Sequence, residues 1–120
     1  MTVREHKNKP IREGFWKSQG NNLFWLRIVG EEVYWLGMNG MAATHDLGER
    51  WCHVGHGKQS GNTIQLTWAD IPVGEDRLHG SITIEIIDET RMKVVEDTGD
   101  FGRSEWTWQA THKNFSELGR

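Results

Sequence analysis

Between Trp35 and Gly57 the chain reads WLGMNGMAATHDLGERWCHVGHG. This stretch holds the only cysteine, Cys52, three of the six histidines, and Asp46 directly after His45. Thiolate, imidazole and carboxylate groups are the ligands of zinc and the acids and bases of proton transfer. Their spacing decides what they can do together. On a strand, successive side chains alternate between the two faces. Cys52 and His53 then face opposite ways, and so do His53 and His56. No single ion is held by all three without a bulge, and the paired spacing of a structural zinc site is missing. No metal and no cofactor is expected, and Cys52 is expected to pack as a small hydrophobe. A carboxylate beside an imidazole can orient it, but an aspartate in a loop also bonds its own turn backbone. The turn role is favoured for Asp46.

The chain contains no G-x-S-x-G, P-loop or H-E-x-x-H motif and no recognisable nucleophile with its base and orienter. Asp70, in WADIPVG, continues the face of Trp68. It either accepts hydrogen bonds from a ligand's hydroxyl or amine, or caps its loop, and both roles stay open. Pro72 ends that strand's ladder. The seven tryptophans stand out most. Trp35, Trp51, Trp68, Trp106 and Trp108 fall on strands or strand ends near one rim. Core filling accounts for some of them. Beside Asn39, His53 and Asp70, the aromatic residues also suit an apolar pocket with a few polar groups. The expected ligand-binding set is Trp35, Asn39, Trp51, His53, Trp68, Asp70 and Trp106, with no catalytic residue assigned. His53→Ala and Asp70→Asn are expected to change the pocket's polarity with little effect on stability.

Strands must position these residues, because helical periodicity is scarce and period-two alternation is common. Eight strands are predicted: 11–18, 23–30, 32–39, 50–57, 62–71, 79–88, 90–97 and 104–112. Ile64, Leu66 and Trp68 share one face, opposite Gln65, Thr67 and Ala69. Ile82, Ile84 and Ile86 oppose Thr83 and Glu85. Such strands bury one face. Eight of them with short connections point to an all-β, antiparallel up-and-down barrel, which closes and so removes sheet edges. The connections GEE, KQSG and DET are tight. GMAATHDLGE, PVGEDRL, TGDFGR and the first turn QGNN are longer. In a meander, alternate connections lie at opposite ends, so the longer ones share one mouth. Loops held on a rigid scaffold are where binding residues concentrate, and an eight-stranded barrel has room for side chains or one small ligand.

The 120 residues fit a single barrel domain over 1–120, with 1–10 and 113–120 read as loose polar ends. Fourteen basic residues against 17 acidic ones leave a formal net charge of −3, which argues against a nucleic-acid partner. One cysteine excludes an internal disulfide framework. The start shows no secretory h-region, and no apolar run approaches the roughly 20 residues that span a bilayer. A cytoplasmic protein without a membrane partner is expected. The sequence does not specify an oligomeric state.

GFW at 14–16, opening a meander, resembles the G-x-W start of lipocalins, fatty-acid-binding proteins and avidins. The compact length is nearest the avidin-like barrels, whose polar biotin ligands do not carry over onto KSQGNN. VYWLGMNG, HVGHG, TWADIPVGEDRLHGSITIEI and TGDFGRSEWTW also resemble a family of small bacterial domains without an assigned function. That family carries V-x-W-L-G, W-A-D-x-P-x-G and T-G-G-F-G-G-S-x-W, and here Asp100 and Arg103 replace two of its glycines. The resemblances imply the barrel and its mouth but supply no chemistry. The expected function is non-catalytic binding of an apolar, aromatic or carbohydrate small molecule at the Trp-rich mouth. The alternatives are an enzyme using His45, His53 and Asp70 as acid–base groups, or an interaction domain whose aromatic rim meets a protein.

Overall fold

The alternation of Ile64, Leu66 and Trp68 against Gln65, Thr67 and Ala69 becomes an inside and an outside. The first three are buried and the others exposed. A computed structural model describes residues 8–118 and forms a closed barrel of eight antiparallel strands in sequence order. The strands are β1 Gly14–Ser18, β2 Leu23–Val29, β3 Glu32–Met38, β4 Cys52–Ser60, β5 Thr63–Asp70, β6 His79–Asp88, β7 Arg91–Asp97 and β8 Glu105–Ala110. β8 pairs back onto β1, with Trp108 opposite Trp16. Each predicted strand is present. β1 starts later than expected, at Gly14. β4 runs on to Ser60, so KQS belongs to the strand and the turn is only 61–62. No helix among the described residues is long and apolar enough to cross a membrane.

The short turns 30–31, 61–62 and 89–90 lie at one end, and the connections 19–22, 39–51, 71–78 and 98–104 lie at the other. Side chains fill the barrel below its mouth. Trp16, Leu26, Val33, Trp35, Ile64, Leu66, Ile82, Ile84, Ile86, Met92, Val94 and Trp106 form one buried cluster with Phe24 and Trp68. Each large aliphatic residue buried there contributes about 1.5–3 kcal/mol. Inward-facing β4 has glycine at 55 and 57. A Cβ at Gly57 would run into the Gln65 carbonyl on β5, so small residues on β4 let its neighbour approach.

The segment before β1 plugs the closed end. Trp16 Nε1 donates to the Arg12 carbonyl (3.0 Å) and Trp108 Nε1 to that of Glu13 (3.1 Å). The Arg12 guanidinium lies 4.8 Å from the Trp108 ring centre. Trp108 therefore closes the end opposite the mouth. Lys9 N donates to the Gly61 carbonyl, and Gln59 Nε2 to that of Lys9. On the outer surface, Phe15, Leu23, Met38, Cys52 and Leu118 form a second buried cluster. Trp25 Nε1 donates to the Lys113 carbonyl, and Phe115, in a single-turn 3-10 helix Phe115–Glu117, packs edge-on against Trp25. Asn8 and Lys9 at one end, and Lys113, Phe115 and Leu118 at the other, thus make hydrogen bonds or apolar contacts with the barrel. Residues 1–7 and 119–120 lie outside the described residues.

Candidate functional site

Inward-facing positions at the top of β2, β4 and β5 bring Phe24, His53, Trp68 and Asp70 to the mouth. Two loop residues complete the walls: Trp51, just before β4, and Phe101, from the β7–β8 connection. Together they line a pocket of about 160 Å³ that opens between the long loops, with Asp76 and Asp100 also lining it. That is close to the roughly 150 Å³ of an apolar cavity able to hold benzene.

His53 is the hub of this cluster. Its ring stacks on Trp51 (centroids 5.0 Å apart, planes at 17°) and meets Trp68 and Phe101 at 5.4 Å each. Nε2 accepts a 2.8 Å hydrogen bond from Trp35 Nε1. Indole can only donate, so the imidazole proton sits on Nδ1. Among the described residues no acceptor bonds that N–H. Burial without a carboxylate partner lowers the His53 pKa from 6.5 to about 4, since desolvation penalises the charged form. The ring is neutral at physiological pH. Gly37 makes this arrangement fit. It pairs with His53 across β3 and β4, and a Cβ there would sit 2.5 Å from His53 Nε2 and 2.7 Å from the Phe24 ring.

Asn39, expected in the ligand-binding set, is engaged by the β3–β4 loop. It is only 3% exposed, and its side chain bonds both limbs of the β3–β4 loop. Oδ1 accepts from Arg50 N (2.8 Å) and Trp51 N (2.9 Å), and Nδ2 donates to the carbonyls of Gly40 and Asp46. With every side-chain polar atom engaged, Asn39 positions Trp51 and is not part of the pocket lining. Trp35 and Trp106 likewise do not line the pocket. They form the aromatic layer beneath it, edge-on to each other at 5.2 Å. Of the seven expected residues, Trp51, His53, Trp68 and Asp70 are brought together as a lining, and Trp35, Asn39 and Trp106 support it.

The acid–base trio is not assembled in this pocket. His45 lines a neighbouring hollow with Asn39, Met41 and Arg50, and its Nδ1 lies 3.2 Å from Thr44 Oγ1. Asp46 was expected to bond its own turn backbone. Instead the Glu49 carboxylate does so, accepting from Asp46 N at 2.7 Å. Asp70 caps its loop, with Oδ2 accepting from Leu78 N at 2.8 Å, which ties down the β5–β6 connection, and it also lines the pocket. Burial raises its pKa, partly offset by that bond. Cys52 faces out of the barrel, away from His53, beneath Met38 and Leu118. Burial, and secondarily the charge of Asp70, push its thiol pKa up. Among the described residues no three His, Cys, Asp or Glu groups are placed to hold a metal ion.

Sequence reasoning missed the lining residues Phe24, Phe101, Asp76 and Asp100, and also Asn22, Leu78 and Ser104. Phe24 was legible, since it shares an inward face with Leu26. Phe101 was not, because it sits in a loop without periodicity. There Gly99, Asp100 and Gly102 all take positive φ (76°, 63° and 97°), and these turns fold the Phe101 ring over Trp68 and Trp106 (5.3 and 6.0 Å). The mouth segments 39–51, 70–78 and 98–104 carry six carboxylates against three arginines, a local excess that equals the chain's whole formal charge of −3. None of the ion pairs among the described residues involves Asp70, Asp76 or Asp100. Arg77 Nη1 is bound instead to the carbonyls of Gly74, Glu75 and Asp76. Comparison of the chain with protein-family models, curated proteins and solved structures finds no match.

Proposed function

We propose that the protein is a non-catalytic binding module that holds a small molecule at the mouth of its barrel. The observation that carries this reading is the pocket of about 160 Å³ walled by Phe24, Trp51, Trp68 and Phe101, with the neutral His53 among them. A concave site that combines aromatic walls with placed polar groups is a common form of a ligand site, and here Asn22, Asp70, Asp76, Asp100 and Ser104 share the lining with the rings. A filled barrel beneath it gives the walls a rigid base. The His53 Nδ1–H has no protein partner among the described residues, and the buried indole N–H of Trp68, which lines the pocket, is also unpaired; a buried donor left unbonded costs free energy that a ligand acceptor recovers. Acid–base catalysis gains little support: His53 titrates near pH 4, far from the operating range of a general base.

A thermal-shift screen of small aromatic, sugar and amine fragments tests the reading. A ligand present at tenfold its Kd adds about 1.4 kcal/mol to stability, which raises the melting temperature of a domain of this size by about 5 °C. Trp51→Ala should abolish the shift, because it removes one aromatic wall. If no fragment of any class shifts the melting temperature, or if hits act equally on Trp51→Ala, the binding reading fails.

A further inference from the structure

The pocket's aromatic walls and its carboxylates face the same small space. Four aromatic side chains, Phe24, Trp51, Trp68 and Phe101, contribute to its lining. Ring faces carry negative electrostatic potential and attract cations placed over them. Asp70, Asp76 and Asp100 line the same pocket without forming any of the ion pairs among the described residues. His53 is the remaining titratable group in the lining, and burial keeps it uncharged, so it does not compete for the carboxylates. It does present an N–H donor, since Nε2 is committed to Trp35.

On the binding reading above, we propose that the pocket takes a small organic ammonium ion that also carries a hydrogen-bond acceptor, such as an alkylated amino alcohol. Each feature then has a partner. The alkylated ammonium sits against the aromatic walls, the carboxylates balance its charge, and the His53 Nδ1–H donates to the hydroxyl or carbonyl oxygen. An anion would face three carboxylates at close range. An uncharged apolar ring would match the walls but leave the carboxylates unused. The pocket volume of about 160 Å³ suits one head group of this size rather than an extended chain.

Isothermal titration with choline tests this, alongside its uncharged analogue in which a tert-butyl group replaces the trimethylammonium. The two probes share shape and hydroxyl and differ in charge. Choline is expected to bind about tenfold more tightly than the analogue, or better. The double variant Asp76→Asn/Asp100→Asn should reduce that preference, and so should raised salt. Asn tolerates the left-handed backbone of residue 100, so this variant should fold as the parent does. Equal or tighter binding of the analogue would overturn charge selection while leaving a small-molecule pocket in place. Failure of choline to bind at all would also overturn the inference; the fragment screen then decides separately whether the pocket binds anything.

Discussion

Trp35 and His53 are joined across β3 and β4 by an indole N–H that donates to the imidazole Nε2 at 2.8 Å, with their ring planes only 17° apart. This bond fixes the proton of His53 on Nδ1 and makes the neutral ring part of the barrel's aromatic layer. It also overturns the expectation that His53→Ala is a mild polarity change. That substitution would leave the Trp35 N–H unbonded in the core, at a cost of about 1–3 kcal/mol, before any cost of the lost volume. Asp70→Asn keeps an oxygen acceptor for Leu78 N and is the cleaner exchange.

Stability should fall in mild acid because of His53. Its folded pKa of about 4 lies below the ordinary 6.5, so the unfolded chain takes up the proton first as pH drops. The fold therefore loses stability between pH 6.5 and 4, on the order of 3 kcal/mol in total. Asp70, whose pKa is raised, works in the opposite sense: its contribution is present at low pH and lost as the carboxyl ionises. Urea unfolding across this range should show the acid loss in the parent and much less of it in His53→Gln. An equal slope in both would place the acid sensitivity elsewhere.

Gly37→Ala should disturb the same pair without touching either partner. The added carbon would press on His53 Nε2 and the Phe24 ring, at 2.5 and 2.7 Å. Overpacking of this kind costs about 1–3 kcal/mol. Urea unfolding measures the loss, and a displaced Trp35 indole N–H resonance would locate it.

Asn39→Ala should release the β3–β4 loop. Two partly buried hydrogen bonds, from the backbone N–H groups of Arg50 and Trp51, lose their acceptor, at about 0.5–1.5 kcal/mol each. The expected readout is lower stability together with faster amide exchange at Arg50 and Trp51. Unchanged exchange there would mean that other contacts hold Trp51 in place.

Cys52 should be inert in the folded protein. It is 5% exposed and its thiol pKa is raised, and the thiolate is the reactive form. A thiol reagent at neutral pH should label it only as fast as the barrel opens, and promptly in denaturant.

Period-two alternation made the barrel legible. Ile64, Leu66 and Trp68, like Ile82, Ile84 and Ile86, had only one face that could be buried, and connection lengths assigned the mouth by parity. The opposite facing of Cys52 and His53 was legible for the same reason. Side-chain roles were less so. The spacing of Asn39 says nothing of the four hydrogen bonds that occupy it, because their partners lie up to twelve residues away. Phe101 comes into the pocket through a run of left-handed backbone, which leaves no periodic trace. Trp108 is expected near the rim with the other tryptophans, yet β8 carries it to the closed end beside Arg12.

The indole N–H signals of the tryptophans test the mouth pocket most directly. A fragment or amine hit from the screen is titrated to saturation while these resonances are followed by heteronuclear NMR. Trp51 and Trp68 line the pocket, whereas Trp25 and Trp108 donate to the carbonyls of Lys113 and Glu13, outside the pocket lining. A ligand at the mouth should move the Trp51 and Trp68 signals and leave Trp25 and Trp108 in place. Movement confined to Trp25 or Trp108 would contradict binding at the mouth.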